Sequence, residues 1–282
     1  MNLVVFGGDT YTAAVVESLV KAGHTVSVII APESSTVNYK VLEDTAAKSG
    51  IGFSRAGDVN SADIKEKIKD IKPDLIITAH LRRILKKEIF SLAAKGAINI
   101  HPSLLPKYRG LSPQHQAIMH GDEESGVTVH YIDEDADTGD IILQRKFSIA
   151  KDDYIMHVQA KMLNIYKSII VDALQLLDDE SFKPWKQDLS ELSYFGPLKK
   201  SDYEIDLSKS RTEIYNLIRA VSLPYKGAYF KNYRVWKTEI SEPAGNLRDK
   251  YSVIGLYYDE ETERIIINLK DGILVSEDFE IN

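Results

Sequence analysis

The sequence contains no cysteine. Disulfides, a thiol nucleophile and cysteine-bound metal are thereby excluded, and the chain fits a reducing, cytoplasmic setting. No uninterrupted apolar run approaches the roughly eighteen residues of a membrane span, so no membrane partner is expected. Positive charge is not in excess: 35 Lys and Arg face 42 Asp and Glu, a formal net charge of -7. That balance weighs against a partner held mainly through its phosphate backbone. The opening Met1-Asn2-Leu3-Val4-Val5-Phe6 has neither a basic lead nor a small-residue cleavage site, so a strand is expected there rather than a signal peptide. Internal repeats and low-complexity stretches are missing as well. What remains is an ordinary globular composition of 282 residues, 44% hydrophobic and 27% charged, long enough for a core domain with a smaller one attached.

Residues 3–6 lead into Gly7-Gly8-Asp9, a tight turn in which Asp9 suits the cap of a helix. That helix carries an apolar stripe of Ala13, Val16, Leu19 and Val20 and ends at Gly23. Two glycines before a helix N-terminus admit a phosphate-bearing ligand. There is no G-x-G-x-x-G fingerprint, however, and a plain turn explains them equally well. A strand follows at 25–30, a polar loop at 32–38, and helical patterns at 39–48 and 62–71, the second capped by Asn60 or Ser61. A short strand at 51–53 lies between them, and Pro73 precedes an apolar strand at 74–78. Residues 85–94 predict a further helix, released by Gly96 into a strand at 98–100. Strands alternating with helices at this spacing predict an α/β fold with a Rossmann-like, doubly wound, mostly parallel sheet.

Downstream, a helix at 112–120, strands at 127–132 and 141–147 and a long amphipathic helix at 153–177 are expected. Irregular residues 178–200 separate a domain over 1–190 from a small β-rich, open barrel-like C-terminal domain over 200–282. The latter opens with a capping box, Ser210-Arg211-Thr212-Glu213, and continues in strands at 228–230, 234–240, 253–258, 264–269 and 273–276.

Chemistry concentrates where the strand at 98–100 ends against Pro102 and Pro106. Asn99 and His101 are two residues apart and emerge on one side of that strand. In open parallel sheets this mouth binds ligands, although a strand end with a satisfied core histidine has the same appearance. The loop 133–140 is acidic and reads as a solvated turn or a hard-cation site, but it lacks the glutamate-closed ladder of a calcium loop. Its Asp137-Thr138-Gly139 lies just before a strand, so Asp137 can turn inward while its neighbours stay wet. An aspartate meeting His101 would raise the imidazole pKa and fix its tautomer. Asn99 could donate its amide hydrogens to an oxygen that gains charge. Asn, His and Asp without a serine or cysteine nucleophile suit acyl transfer to an external nucleophile such as an amine.

Asn99-Ile100-His101-Pro102-Ser103-Leu104-Leu105-Pro106, followed by Asp137-Thr138-Gly139-Asp140, resembles the folate-dependent formyltransferase family. That family includes glycinamide ribonucleotide, methionyl-tRNA and amino-sugar formyltransferases. The resemblance implies Asn99, His101 and Asp137 as the catalytic trio and N10-formyltetrahydrofolate as co-substrate, with no metal. It also implies a segment Arg83-Ile84-Leu85 whose backbone holds the pterin ring. Leu104 and Leu105 wall the pocket, and the loop leading to Asp137 closes over it. A neutral amine then attacks the formyl carbon. Asn99 and His101 stabilise the oxyanion, and His101, held by Asp137, helps move the amine proton to the departing folate nitrogen.

Within the family the acceptor differs. Glycinamide ribonucleotide enzymes end soon after the catalytic domain, whereas this chain continues. Methionyl-tRNA enzymes resemble one another in a basic loop after the second strand. Here Ala31-Pro32-Glu33-Ser34-Ser35-Thr36-Val37-Asn38 has no arginine or lysine, and the chain finishes acidic at Glu277-Asp278-Phe279-Glu280. The stretches Asn216-Leu217-Ile218-Arg219-Ala220-Val221 and Pro224-Tyr225-Lys226-Gly227-Ala228-Tyr229 are similar to a segment of sugar-nucleotide N-formyltransferases, with Lys226 in place of the usual second proline. The expected partner is therefore a nucleotide-linked amino-deoxysugar for surface-polysaccharide or lipid-A-type glycan synthesis. Nucleic acid enters only under the alternative of a methionyl-tRNA formyltransferase. A non-catalytic Rossmann-type nucleotide-binding module is the remoter alternative, and by resemblance a homodimer is expected. Arg219 reads as a helix-surface charge or a phosphate contact, and Gln114 and Gln116 as substrate contacts or a helix polar face.

Overall fold

A strand that is apolar at every position has to be covered on both faces, and β1 shows how the N-terminal part of the chain does this. The computed structural model describes residues 1–34, 37–241, 247 and 250–281. In order these form β1 (Asn2–Gly7), α1 (Thr10–Lys21), β2 (Thr25–Pro32), α2 (Tyr39–Ser49), β3 (Gly52–Ala56), α3 (Ala62–Ile71), β4 (Leu75–Ala79), α4 (Lys87–Phe90), β5 (Ala97–His101), β6 (Arg109–Gly110) and α5 (Pro113–Met119). Then come β7 (Glu124–Tyr131), β8 (Ile141–Ser148), α6 (Ile155–Asp178), β9 (Tyr194–Phe195), α7 (Arg211–Val221), β10 (Ala228–Phe230), β11 (Tyr233–Ser241), β12 (Gly255–Asp259), β13 (Arg264–Leu269) and β14 (Gly272–Ile281). Of the loop expected at 32–38, residues 35 and 36 lie outside the described residues.

Two units emerge. The first comprises Met1–Leu111, Gly126–Phe147 and Lys161–Phe195. Its sheet has the order β3-β2-β1-β4-β5-β7-β8, parallel from β3 through β5 and antiparallel where β7 joins β5. This is the mostly parallel, Rossmann-like sheet that the alternation predicts. Period-two side chains of β1 divide between its faces. Leu3 and Val5 pack with Val16 and Leu19 of α1 and with Met162, Tyr166 and Ile169 of α6. Val4 and Phe6 pack with Ile64 and Ile68 of α3 and with Leu85 and Ile89. Each such side chain contributes about 1.5–3 kcal/mol on burial.

One expectation fails in this unit. The helix predicted over 85–94 is a single turn, α4. Lys86 gives it no side-chain cap. Past it, the N–H groups of Ala94 and Lys95 are taken by the carbonyls of Pro73 (3.2 Å) and Asp74 (2.7 Å), which draws the chain to the start of β4 instead of extending a helix. The irregular segment after α6 also holds unexpected order. Tyr194 and Phe195 pair in parallel with Arg109 and Gly110.

The second unit comprises Ser112–Ser125, Ser148–Ala160 and Gly196–Asn282. Its sheet, β10-β11-β14-β13-β12, is antiparallel throughout and forms the expected β-rich appendage. Helix α7 begins with the predicted reciprocal cap between Ser210 and Glu213. Arg219 is not a helix-surface charge: it is buried, donating to the Asp153 carbonyl (2.6 Å) and to Asn216 Oδ1 (2.7 Å). Gln114 and Gln116 are buried too, so neither lies on a solvated helix face.

Candidate active site

Register assembles the site in the first unit. Thr78 of β4 lies beside Asn99 of β5, and β7 places His130 opposite Asn99 and Thr128 opposite His101. Cross-strand partners share a face, so Asn99, His101 and His130 collect where β5 ends. The acidic loop supplies the fourth group. Asp137 turns inward with φ 58°, a left-handed conformation that aspartate tolerates better than most residues, while Asp133, Glu134 and Asp135 remain exposed.

The polar network runs in a definite direction. The Thr78 hydroxyl donates to Asn99 Oδ1 at 2.6 Å, which turns the amide nitrogen toward Asp137 Oδ1 (3.2 Å) and His130 Nε2 (3.2 Å). His130 donates through Nδ1 to the Tyr131 carbonyl (2.8 Å), leaving Nε2 as the acceptor. His101 donates through Nε2 to the Tyr108 carbonyl at 2.9 Å, and its Nδ1 lies 3.4 Å from Asp137 Oδ1. The other carboxylate oxygen accepts the Gly110 N–H at 2.9 Å. Glycine is needed at that donor. Gly110 has φ +91°, and a Cβ there would stand 2.3 Å from the Phe195 carbonyl.

The loop carrying Asp137 is braced from behind. Gln187 donates to the carbonyls of Asp137 (2.9 Å) and Gly139 (2.8 Å), and its own oxygen accepts from Arg109 Nε (3.1 Å) and Nη2 (2.6 Å). Gly139 lies so close to Tyr131 that a Cβ would fall 1.9 Å from that residue's carbonyl oxygen.

Electrostatics sharpen the roles. Burial favours a protonated Asp137, but the facing His101 and the Gly110 N–H outweigh it and hold the carboxyl well below the usual carboxylate range. For His101, burial pushes the imidazole down and prevails over Asp137 and the Tyr108 carbonyl, which push it up. The expected rise in its pKa is therefore reversed: His101 is only 3% exposed, and a charged ring there is costly. Tyr166, fully buried beneath β5, donates its hydroxyl to the Ile100 carbonyl at 3.0 Å and stays protonated.

The remaining predicted residues occupy two places. Leu105 is buried and tied to the β5–β7 pair, its N–H on Thr128 Oγ1 (3.1 Å) and its carbonyl on Gln144 Nε2 (2.8 Å). Half-buried Leu104 packs on Gly126. Arg83 and Ile84 are exposed after β4, whereas the Leu85 side chain belongs to the core. Among the described residues, no backbone hydrogen bond is made by Arg83 or Leu85. His130, Tyr108, Gly110 and Gln187 are not evident from the sequence. The one signal for His130 is its place in an alternating strand, two residues after Thr128.

Residues 1–174 match the family model described as formyl transferase, and residues 197–281 match that of the formyl transferase C-terminal domain. The chain belongs to the formyl transferase family. Among curated relatives, this formyltransferase is 30% identical over 251 residues to the methionyl-tRNA formyltransferase of Natranaerobius thermophilus, covering 85% of this chain and 80% of that one. It is 26% identical over 285 residues to that of Fusobacterium nucleatum (98% and 90% covered). Among solved structures, its fold matches the N-formyltransferase of Helicobacter canadensis, solved with folinic acid and dTDP-3-aminofucose, at TM-score 0.75 and 22% identity, with 99% of both chains covered. It also matches WlaRD, a sugar 3N-formyltransferase solved in the presence of dTDP and 5-N-formyl-THF, at TM-score 0.70 and 24% identity over 99% of this chain and 97% of that one. No helix among the described residues is long and apolar enough to cross a membrane. No cluster of three or more metal-ligating side chains occurs among them either.

Proposed function

We propose that this formyltransferase acts in the cytoplasm, moving the formyl group of N10-formyltetrahydrofolate onto the amine of a nucleotide-linked amino-deoxysugar. The convergence of Asn99, His101 and Asp137 carries the reading. The donor supplies an activated formyl group. The unpaired backbone groups of Arg83 and Leu85 suit the polar edge of its ring, because each still offers a donor and an acceptor. Asn99 Nδ2 and His101 Nε2 are the donors for an oxygen that gains charge. Each now rests on a protein acceptor and exchanges it for the oxyanion, a charge-assisted bond roughly twice as strong as a neutral one. Asp137 stays ionised, faces His101 Nδ1 and offsets the charge the ring acquires when that nitrogen takes up a proton.

The choice of a sugar nucleotide rests on charge. With a net charge of -7 and no basic residue between Ala31 and Asn38, the phosphate contacts a tRNA requires have no evident source. The dTDP-sugar relatives, similar in fold over nearly their whole length, point the same way. Against it stands the name shared by the curated relatives, which keeps methionyl-tRNA as the second reading. Release of tetrahydrofolate, followed spectroscopically with a panel of amino-sugar nucleotides and with charged initiator tRNA, decides between them. Turnover is expected with an amino-sugar nucleotide, and turnover with the tRNA alone would overturn the assignment. Sedimentation of the same sample tests the homodimer.

A further inference from the structure

A second aspartate–histidine pair stands one strand away from the first. Ala79 of β4 is in register with Ile100 of β5, so the next residues, His80 and His101, leave the sheet side by side, on strands about 4.8 Å apart. Gly7 of β1 is in register with Ala79, and Asp9 follows two residues later. The His80 Nδ1 meets Asp9 Oδ2. The two carboxylate oxygens of Asp9 divide their work: Oδ1 caps α1 by accepting the N–H groups of Tyr11 (3.0 Å) and Thr12 (3.4 Å), and Oδ2 holds the imidazole. His80 has φ 56°, an uncommon conformation for a residue of its size. Tyr11 supports the ring at 4.9 Å between centroids.

Formyl transfer through Asn99, His101 and Asp137 leaves this pair unused. Capping α1 needs only one carboxylate oxygen and no histidine, so the cap by itself does not call for His80. With Nδ1–H directed to the carboxylate, the lone pair is on Nε2, which has no protein partner among the described residues. The side chain is 14% exposed, against 4% for that of His101. His80 therefore combines an aspartate-oriented tautomer, an open nitrogen and contact with water, which are the attributes of a general base.

The geometry points to His80, oriented by Asp9, as the base that takes the first proton from the acceptor. An aliphatic amine reaches the site largely as ammonium, which has no lone pair for attack. One ammonium N–H bond breaks, its electron pair stays on nitrogen, and the proton passes to His80 Nε2, where Asp9 balances the imidazolium. The second proton leaves after attack, by way of His101, to the donor's nitrogen. His80 returns its proton to water, so the sum is one formamide, one tetrahydrofolate and one released proton. The inference rests on the amine-formylation part of the proposed function and is indifferent to whether a sugar carries the amine. The charged and titratable groups facing the pair are Tyr11 of α1, Tyr166 of α6 and His101 at the end of β5. Arg82 and Arg83, next in the chain, are exposed to solvent.

The test is the pH profile of kcat/KM for His80→Gln and Asp9→Asn, with whichever acceptor the wild type formylates. The asparagine variant still caps α1, since asparagine is as good a cap as aspartate. Both variants should fall by about 100-fold near pH 7, the lower range of acid–base contributions, and the deficit should close as pH rises past the amine's own pKa. A loss equal at every pH, or no loss, would overturn the proposal. The His80 tautomer, read by long-range proton–nitrogen NMR on the full chain, tests it without any acceptor. A neutral ring protonated on Nδ1 in the wild type is expected, and one protonated on Nε2 refutes it. If no acceptor is turned over, the sugar assignment falls, and the spectrum still supports or refutes the role of His80 by itself.

Discussion

His101 and His80 follow paired residues on neighbouring strands, and each meets an aspartate, yet their surroundings differ. His101 is enclosed, with one nitrogen on the Tyr108 carbonyl and the other toward Asp137. His80 keeps one nitrogen open and some contact with water. An enclosed imidazole makes an accurately placed hydrogen-bond donor but exchanges protons poorly, because its charged form is disfavoured where it sits. A partly exposed one is less exact in position and better able to deliver a proton to solvent. On the proposed mechanism the two histidines divide what a single general acid–base residue does elsewhere: one would hold charge in place and the other would dispose of it.

Substitutions can break that contrast. His101→Ala should have the largest effect, about a 1,000-fold loss of formyl transfer at every pH, the upper range for an oxyanion donor. A rate that recovered at high pH would place the solvent-exchanging base at His101 instead. Gly110→Ala attacks the enclosed pair through the backbone. The added methyl meets the Phe195 carbonyl, and the left-handed conformation costs about 1–3 kcal/mol, to be measured by denaturant unfolding alongside a loss of activity. His130→Phe removes one acceptor from the Asn99 amide. Losing a hydrogen bond of about 1 kcal/mol predicts a rate lower by roughly fivefold, with binding of the acceptor unchanged.

Acid sharpens the comparison most gently. The folded-state pKa of His101 is lowered by burial, so its neutral form contributes stability that is complete above the unfolded value of 6.5 and is lost as pH falls below it. Asp137, held low, keeps its contribution down to far more acid conditions. A melting temperature that declines from pH 7 toward pH 5, with a shallower decline in His101→Asn, is the expected result of a calorimetric series.

Much of this arrangement is legible in the sequence because it is local. Asn99 and His101 share a side through period-two spacing, and Asp137 sits where a loop enters a strand. Asp9 and Ser210 announce helix starts within four residues. The groups that the sequence does not reveal depend on register between distant segments. His130 matters because β7 runs antiparallel against β5, and His80 because Ala79 is level with Ile100. The sign of the His101 shift is hidden for a related reason: a charge partner can be guessed from a motif, but the depth of burial is a property of the assembled sheet.

Gln187 adds a consequence for how this enzyme can be dissected. It lies beyond residue 174, where the N-terminal family match stops, and before residue 197, where the next one starts. From there its amide grips two carbonyls of the Asp137 turn. The strip between the recognisable modules is thus a splint for the Asp137 turn rather than a tether, and on the proposed site assignment a protease nick or truncation there should silence the enzyme while leaving Asn99, His101 and Asp137 themselves intact.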